Sequence, residues 1–299
     1  MKKIVVIGSS NTDMVIKADR LPVPGETIIG TQFMMNPGGK GANQAVAVAR
    51  MGGKVSFITK TGNDLFGKQS VELYNVENIG TDYIFSDMRA PSGVALISVD
   101  AFGENCILVA PGANGTLSIN DIEKARSEIE NACILLMQLE IPMKTVEYAA
   151  EIAAAKGVKV ILNPAPAQVL SSNLLKNLNI ITPNKNEAEL LTGVKVTDWA
   201  SARDAANIIS SKGINTVVIT LGSKGAFIKE GDQYHEIEAE KVKAIDTVAA
   251  GDTFCGTLCV GLSEGMTVVE TVKLACKASA ITVTRMGAQS SIPYRKEVM

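Results

Sequence analysis

Histidine and tryptophan are nearly missing from this 299-residue chain, which has one of each, and aromatic residues make up 4% of it. A catalytic triad or a multi-histidine metal site would therefore need His235 in a leading role. His235 lies between Tyr234 and Glu236 in an alternating, strand-like stretch, and we interpret it as an exposed or edge-strand residue. The chemistry of the protein is expected to use carboxylates, amides, hydroxyls and backbone groups.

A surplus of positive charge is also missing. The chain has 29 basic and 31 acidic residues and a formal net charge of −2, whereas nucleic-acid binding needs clustered Lys and Arg that neutralise phosphates. No apolar run approaches the roughly 18 residues of a membrane span, and the run at residues 4–7 is too short for the hydrophobic part of a signal peptide. Neither nucleic acid nor a membrane is expected as a partner.

The cysteine pattern excludes a disulfide framework. The five cysteines are odd in number and include no CxxC pair, whereas disulfide-stapled chains are small, secreted and regularly spaced in cysteine. Cys255 and Cys259 lie four residues apart in a helical pattern and are interpreted as packing residues, not metal ligands. A location in the reducing cytoplasm is expected.

What is present is a regular alternation of short apolar runs with helical patterns. The runs predicted as buried strands are residues 4–7, 55–58, 134–137, 158–162, 180–181 and 217–220. The segments with helical spacing are residues 42–51, 65–76, 119–131, 144–156 and 200–212. This alternation predicts a parallel sheet covered by helices on both faces, with the substrate beyond the carboxyl ends of the strands.

Two stretches without a helix interrupt the alternation. Residues 15–33 are strand-like but contain the turn-forming sequence LPVPG, and residues 94–109 alternate around a turn at 100–103. Both are expected to be antiparallel excursions, either two separate surface hairpins or one small sheet that forms a lid or a dimer contact. The chain is thus expected to be one α/β domain over residues 1–299, with a discontinuous lid at about 14–35 and 93–110.

Two glycine patterns imitate phosphate loops but lack required residues. Residues 62–69 come close to a Walker A loop, yet Gln69 stands where Mg²⁺ binding requires Ser or Thr. We expect Gly62 and Gly67 to shape a turn near a substrate instead. The first strand ends in GSSN, without the further glycines of a dinucleotide-binding fingerprint, so a nicotinamide enzyme is not expected.

Two other segments have the composition of oxygen-binding helix starts. Residues 38–43 (GGKGAN) combine three glycines, which permit close backbone approach, with one charge and one amide. Residues 246–254 (DTVAAGDTF) run small residues into an apolar helical pattern. The N–H groups of Ala249, Ala250 and Gly251 would form an anion hole there. Asp252 beside them suits a general base better than a phosphate ligand, since like charges repel.

On these two motifs, about 200 residues apart, the chain resembles the ribokinase (PfkB) family of carbohydrate kinases over residues 4 to 293. The resemblance implies a three-layer α/β/α fold with a mainly parallel central sheet and a small β-sheet lid. It implies ATP-dependent phosphorylation of a sugar hydroxyl, with Asp252 as the base and the amides of Ala249, Ala250, Gly251 and Asp252 as the anion hole. A homodimer formed through the lid is also implied.

The family's sugar-binding pattern implies D-ribose as the acceptor, phosphorylated at its 5-hydroxyl. The matching positions are Asn11, Asp13, Gly39, Lys40, Asn43, Glu140 and Asp252. Carboxylates and amides hydrogen-bond several neighbouring hydroxyls at once, which an apolar pocket cannot do. A kinase of deoxyribose, of another sugar or of a nucleoside stays open as an alternative, and so does a non-catalytic sugar or nucleotide sensor.

The resemblance extends to the phosphate donor and its cations. The positions implied in ATP binding are Asn184, Thr220, Leu221, Gly222, Ser223, Lys224, Gly225, Gly251, Asp252 and Cys276, the last against the adenine. In the element PNKNE at 183–187, Glu187 is implied in the Mg²⁺ shell through water. An activating K⁺ is implied beside the anion hole. Its implied ligands, mostly carbonyl oxygens, come from Asp246, Val248, Thr282, Arg285, Gly287 and Ser291.

Overall fold

The computed structural model describes residues 2–299. The strands are β1 (Lys3–Ile7), β2 (Asn11–Lys17), β3 (Gln32–Gly38), β4 (Lys54–Gly62), β5 (Ile84–Asp87), β6 (Gly93–Val99), β7 (Asn105–Ala110), β8 (Ile134–Met137), β9 (Lys159–Leu162), β10 (Ile180–Ile181), β11 (Thr216–Thr220), β12 (Ala226–Glu230) and β13 (Gln233–Ile237). The helices are α1 (Lys40–Arg50), α2 (Leu65–Val76), α3 (Ile119–Lys124), α4 (Arg126–Glu130), α5 (Met143–Ala155), α6 (Ser172–Leu175), α7 (Lys185–Thr192), α8 (Trp199–Ser210), α9 (Ala250–Ser263), α10 (Val268–Thr282) and α11 (Arg295–Val298).

Nine strands form the large sheet, in the order β13-β12-β11-β10-β9-β8-β1-β4-β5. The pairs between β5 and β11 are parallel, whereas β12 and β13 at one edge pair antiparallel. All six predicted strands lie in this sheet, so the expected mainly parallel α/β architecture is confirmed. His235 lies on the edge strand β13, also as expected.

Helices cover both faces of the large sheet, which explains why its inner strands are apolar at consecutive positions. On β1, Val5 and Ile7 belong to a core shared with α5 and α8, whereas Ile4 and Val6 belong to a second core shared with α1, α9 and α10. All four side chains are fully buried. This double core holds the ends of the parallel strands, and with them the residues that follow each strand.

Each of the five predicted helices is present, one of them divided in two, whereas α6, α7, α10 and α11 lie outside the predicted segments. Residues 119–131 form α3 and α4, separated at Ala125, whose N–H is shared between two carbonyls of the preceding turn. The shared bond tightens this turn and ends α3. Gly52, Gly157 and Gly213, just beyond the ends of α1, α5 and α8, have φ of 85°, 73° and 103°, the left-handed region that favours glycine. Within residues 2–299, every helix is too short or too polar to cross a membrane.

The two helix-free stretches form one small four-stranded sheet, in the order β3-β2-β6-β7, and not two separate hairpins. β2 pairs antiparallel with β3, and β6 pairs antiparallel with β7, while β2 and β6 join the two hairpins in parallel register. The turn expected within residues 15–33 is present, because Pro22, Pro24 and Gly25 lie in the loop between β2 and β3 and cannot continue a ladder. The two strands extend beyond the predicted stretch, to Asn11 and to Gly38.

The Walker-like segment at 62–69 is not a phosphate loop. Asp64 caps α2, and its carboxylate accepts hydrogen bonds from the N–H of Gly67 at 2.9 Å and from both the N–H and the hydroxyl of Ser92 at 2.7 Å. A carboxylate therefore occupies the helix start that a phosphate would need. The expected turn is present, but Gly62 and Gly67 lie outside the lining of the cavity described next.

Candidate active site

A cavity of about 360 Å³ lies at the carboxyl ends of the parallel strands, between the large sheet and the small one. The predicted site residues that line it are Asn11, Asp13, Gly39, Lys40, Asn43, Glu140, Asn184, Glu187, Thr220, Val248, Ala249, Gly251 and Asp252. The small sheet contributes four apolar residues to the lining: Ala95, Ile97, Ile107 and Val109. The other lining residues are Asn163, Ala165, Thr182, Thr247, Phe254 and Cys255. Residues from widely separated parts of the sequence thus meet at the edge of the sheet where ligands of α/β proteins bind.

Asp252 is a buried carboxylate held by two amides. Its side chain is in the first turn of α9 and the residue is 7% exposed. Asn43 Nδ2 donates to Asp252 Oδ2 and Gln44 Nε2 donates to Asp252 Oδ1, both at 2.9 Å. Burial raises the pKa of this carboxyl, while Lys40 and the two amide donors oppose that shift. The result is a more basic carboxylate than usual, fixed in one orientation.

The start of α9 presents unbonded N–H groups beside this carboxylate. Ala249 adopts a left-handed conformation with φ of 59°, which turns the chain into the helix. Among the described residues, the N–H groups of Gly251 and Asp252 donate to no carbonyl, whereas the N–H of Ala250 donates to Thr247 at 3.4 Å. A Cβ at Gly251 would meet nothing within 4 Å, so the approach to the helix start is open. These groups suit an anion.

The other end of the cavity collects carboxylates around one ammonium group. Glu140 Oε2 accepts from Ser9 Oγ at 2.5 Å and from Lys40 N–H at 3.0 Å. Burial, with Glu140 and Asp252 nearby, raises the pKa of Asp13 to about 7. Burial alone would lower the pKa of the Lys40 ammonium group, but the nearby carboxylates of Asp252 and Glu140 together have the larger effect. The pKa of Lys40 is therefore raised. Lys40 therefore stays charged among acceptors suited to hydroxyl groups.

The start of α1 needs glycine for steric reasons. Gly39 has φ of 88°, and a Cβ there would lie 2.7 Å from the N–H nitrogen of Asn11. A Cβ at Gly41 would lie 2.6 Å from the backbone nitrogen of Ser9. Both distances are far below van der Waals contact, so a side chain at either glycine would separate α1 from β1 and displace the polar residues around the cavity.

Asn184 and Glu187 form a capping box at the start of α7. Asn184 Oδ1 accepts from the N–H of Glu187 at 2.9 Å, and Glu187 Oε2 accepts from the N–H of Asn184 at 2.8 Å. This arrangement stabilises the helix by itself. Glu187 is nevertheless buried and lines the cavity, and burial raises the pKa of its carboxyl. A carboxylate in this place fits a hydrated divalent cation.

The predicted nucleotide loop lies at the rim of the cavity and not inside it. Thr220 ends β11 and lines the cavity, while Leu221 is buried behind it. The 3₁₀ turn Gly222–Lys224 joins β11 to β12, and Lys224 Nζ donates to the carbonyl of Thr197 at 2.7 Å. Of the predicted positions, those outside the cavity lining are Leu221, Gly222, Ser223, Lys224, Gly225 and Cys276, with Cys276 half-buried on α10.

The two predicted cation loops lie side by side, joined by one carboxylate. Asp246 Oδ1 accepts from the N–H of Val248 at 3.0 Å, and Asp246 Oδ2 accepts from the N–H of Gly287 at 2.9 Å. Val248 is the member of this set that lines the cavity. The side chains of Arg285 and Ser291 are engaged elsewhere: Arg285 pairs with Glu297, and Ser291 donates to the carbonyl of Ala288. Any contribution of these residues to a cation site is therefore through their carbonyl oxygens.

The side chain of Thr282 is also turned away from a cation role, because its hydroxyl donates to Thr253 Oγ1 at 3.0 Å inside the helix pair α9–α10. In the described part of the chain, no group of three or more His, Cys, Asp or Glu side chains could hold a metal ion. Cys255 and Cys259 are both buried in the core, as expected for packing residues, and Cys255 also lines the cavity.

Sequence reasoning missed several buried polar residues at the cavity, of which Asn163 and Thr182 line it and Gln138 lies behind it. Gln138, Asn163 and Thr182 each come directly after a parallel strand, β8, β9 and β10 in turn. Together with Gln44 they form hydrogen bonds that end on Asp252. The available signal was their place: a polar residue directly after a buried apolar run lies at the ligand-binding edge of a parallel sheet.

A family model described as pfkB family carbohydrate kinase matches residues 1–295. The chain is 47% identical to ribokinase from Haemophilus influenzae, over 100% of this chain and 97% of that protein. It is 44% identical to ribokinase from Staphylococcus aureus, over 99% of this chain and 98% of that protein. Its structure is similar to that of Arabidopsis thaliana ribokinase complexed with ribose and ATP, with a TM-score of 0.92 and 31% identity over 99% of this chain and 97% of the other. The chain belongs to the pfkB family of carbohydrate kinases.

Proposed function

We propose that this protein transfers the γ-phosphoryl group of ATP to the 5-hydroxyl of D-ribose. The observation that carries the proposal is Asp252, a buried carboxylate held beside the unbonded N–H groups of a helix start. Family membership supports the reaction class, and the high identity to two ribokinases supports ribose as the acceptor.

In the proposed reaction, Asp252 takes the proton of the 5-hydroxyl while the hydroxyl oxygen attacks the γ-phosphorus and the bond to the ADP oxygen breaks. Its raised pKa makes Asp252 a stronger base than an exposed carboxylate. The N–H groups of Gly251 and Asp252 stabilise the charge on the oxygens of the transferring group. Of the four amides predicted as an anion hole, those of Ala249, Gly251 and Asp252 have no acceptor in the described part of the chain, whereas that of Ala250 donates to the Thr247 carbonyl at 3.4 Å.

The acceptor sugar lies among Asn11, Asp13, Lys40 and Glu140 in this proposal. Carboxylate oxygens accept from its hydroxyl groups, while the ammonium group and the Asn11 amide donate to them. The apolar residues of the small sheet cover the sugar and exclude water, which would otherwise accept the phosphoryl group. The small sheet is therefore the lid of the site.

Mg²⁺ and K⁺ belong to the proposal as cofactors. Mg²⁺ keeps most of its water ligands and needs only one or two carboxylates besides phosphate, which the single carboxylate of Glu187 can supply. When bound, it neutralises charge on the β and γ phosphates. For K⁺, the carbonyl oxygens of Val248, Arg285 and Gly287 accept no hydrogen bond among the described residues, and Asp246 joins their two loops. Hard oxygen ligands of this kind suit a monovalent cation.

The outer face of the lid supports a homodimer. On this face Ile16, Phe33, Met35, Leu96 and Leu108 are between 47% and 69% exposed, and the strand register places them next to one another. A contiguous exposed apolar patch of this kind marks an interaction surface. A second copy of the same sheet would cover it in a two-fold arrangement. The five free cysteines support placing the enzyme in the reducing cytoplasm.

The test is an ADP-release assay with Mg-ATP and a panel of acceptors, on the wild type and on Asp252→Asn. Turnover that depends on D-ribose and disappears in Asp252→Asn is expected. Turnover with 2-deoxy-D-ribose or a nucleoside, and none with D-ribose, would keep the mechanism and overturn the acceptor. Binding of D-ribose without turnover on any acceptor would instead support a sensor.

A further inference from the structure

The carboxylate of Asp252 is the end point of a buried chain of side-chain amides. Asn163 Nδ2 donates to the carbonyl oxygen of Thr182 at 3.1 Å, and Gln44 Nε2 donates to Asn163 Oδ1 at 3.1 Å. Gln44 Nε2 also donates to Asp252 Oδ1 at 2.9 Å, while Gln44 Oε1 accepts from Gln138 Nε2 at 2.5 Å. Gln44 and Gln138 are fully buried, and neither touches the cavity.

The direction of every hydrogen bond in this chain is determined by its first member. A backbone carbonyl only accepts, so Asn163 must turn its NH₂ group to Thr182 and its oxygen to Gln44. Gln44 then meets two acceptors, Asn163 Oδ1 and Asp252 Oδ1, and must turn its own NH₂ group to both. Its oxygen is left for the NH₂ group of Gln138. A reversed Gln44 would place its oxygen against two other oxygens in a buried site, which is costly.

We propose that Gln44 is a positioning residue for Asp252, and that the amide chain anchored on the Thr182 carbonyl keeps its N–H aimed at the base. The proposal rests on the proposed function, since it assigns Gln44 a role in that reaction. With Asn43 on Oδ2 and Gln44 on Oδ1, the carboxylate cannot rotate, and its remaining lone pairs face the acceptor hydroxyl.

The ionisable groups around Asp252 determine how loss of the Gln44 hydrogen bond would change the protonation of this carboxylate. The side chains that face it are Lys40 on α1, Asp13 on β2, Glu140 after β8, Glu187 on α7 and the Cys255 thiol on α9. The ammonium group favours the ionised base, while burial and the three carboxylates disfavour it. The Gln44 N–H that donates to Oδ1 also stabilises the ionised form of Asp252. Its removal therefore shifts the protonation equilibrium of Asp252 toward the protonated, inactive form.

The test compares single-turnover phosphorylation at saturating D-ribose and Mg-ATP across pH 5.5 to 9. Gln44→Met keeps the length of the side chain but has no N–H to stabilise the ionised form of Asp252. We therefore expect the midpoint of the acid limb of the pH–rate profile to move up by about one pH unit. We also expect the plateau rate to fall about tenfold and the KM for D-ribose to stay within about twofold. Gln44→Glu, which places an oxygen against Asp252, is expected to move the limb further.

Controls separate this proposal from a general effect of a buried substitution. Thr271 lies at the α9–α10 contact, outside the site, and its fully buried hydroxyl has no hydrogen-bond partner among the described residues. Thr271→Val removes this hydroxyl and is expected to leave the pH–rate profile unchanged. If the Gln44 variants do not fold, Asn163→Leu breaks the link between Gln44 and the Thr182 carbonyl. This variant is expected to shift the acid limb of the pH profile in the same direction by less. A profile of Gln44→Met that superimposes on the wild type would overturn the proposal, while activity in Asp252→Asn would overturn the proposed function.

Discussion

The floor and the roof of the cavity differ in how deeply their residues are buried and in how firmly the rest of the protein holds them. The floor consists of strand ends and the first turns of α1 and α9, where Asn43, Gln44 and Asp252 are almost fully buried and bonded to one another. The roof is the small sheet, whose strand β7 is exposed at every residue. The floor therefore has one arrangement, fixed by two packed cores, whereas the roof has no helix on its outer face to hold it.

The difference assigns separate tasks to the two regions. Within the described residues, no helix packs on the outer face of the small sheet, so in our proposal its position depends on what it contacts: the sugar on the inner face and a second subunit on the outer face. Catalytic groups need positions accurate to a fraction of an ångström, and they are all on the floor. In our proposal the floor performs the chemistry, and the roof admits and covers the acceptor.

The largest effect is expected on the floor. Asp252→Asn keeps the size of the side chain but removes the base, so kcat should fall by about 10²–10⁴-fold. D-ribose should still bind, because the other polar residues of the sugar end are unchanged. Isothermal titration with D-ribose and an ADP-release assay measure the two effects separately. Loss of binding together with turnover would show that this residue holds the sugar as well.

A large effect of another kind is expected on the roof. Leu96→Lys places a charge in the apolar outer face and should raise the dissociation constant of the dimer by about 100-fold or more, because a two-fold interface contains the change twice. Leu190→Lys, on α7, is the matched control, since Leu190 is 52% exposed and Leu96 is 50% exposed. Sedimentation velocity measures both. A Leu96→Lys protein that sediments like the wild type would contradict the proposed interface.

The sugar end joins floor and roof, and there a moderate effect of pH is expected. The pKa of Asp13 is about 7, so its carboxylate is the minor form at pH 6 and the major form at pH 8. Since only the carboxylate accepts from two hydroxyl groups, the KM for D-ribose should fall about tenfold over this range. Asp13→Asn should have a high KM that does not change with pH. A wild-type KM that is flat between pH 6 and 8 would show that this carboxyl titrates elsewhere.

The same residue should make the folded protein less stable as pH rises. The pKa of Asp13 is about 7 in the folded protein, whereas an aspartate free in water has a pKa of 3.8, so the native protein binds more protons between these values. The free energy of unfolding without ligand should therefore fall as pH rises through this window. Asp13→Asn should lose this dependence and unfold at a higher temperature than the wild type at pH 8, as thermal melts at several pH values would show.

The smallest effect is expected behind the floor, in the cation loops. Asp246→Asn keeps one acceptor for the two loops but loses the charge, and we expect the K⁺ concentration for half-maximal activation to rise severalfold, with little change in the KM for D-ribose. Titration of activity with KCl against a background of a large organic cation measures this. Equal activation curves for wild type and variant would remove Asp246 from the cation site.

Much of the floor could be predicted from the sequence, because its signals are local. A continuous apolar run such as residues 134–137 indicates a strand buried on both faces, and Asp252 follows small residues at the start of an apolar helix. The role of Gln44 could not be predicted in this way. Within the sequence it is one more polar residue between Asn43 and Ala45, and the residues that orient it follow two strands more than 90 residues away.

The roof is harder to predict for a different reason. Its two hairpins are joined by the pairing of β2 with β6, in which Asn11 lies opposite Gly93, far away in the sequence. The outer face of these strands is apolar, so the alternation that usually identifies a half-exposed strand is weak. The stretch predicted at 15–33 therefore misses the first residues of β2 and the last residues of β3. In our proposal a second subunit covers the outer face, so the apolar residues of that face reflect the dimer, which one chain alone does not reveal.

The most direct measurement is the ³¹P NMR spectrum of the product formed from D-ribose and Mg-ATP. Transfer to the primary hydroxyl predicts a new phosphomonoester signal that couples to the two protons of a methylene group, and this signal should be missing with Asp252→Asn. A phosphomonoester that couples to a single proton would contradict transfer to the 5-hydroxyl. Formation of ADP and inorganic phosphate alone would contradict phosphorylation of ribose by this site.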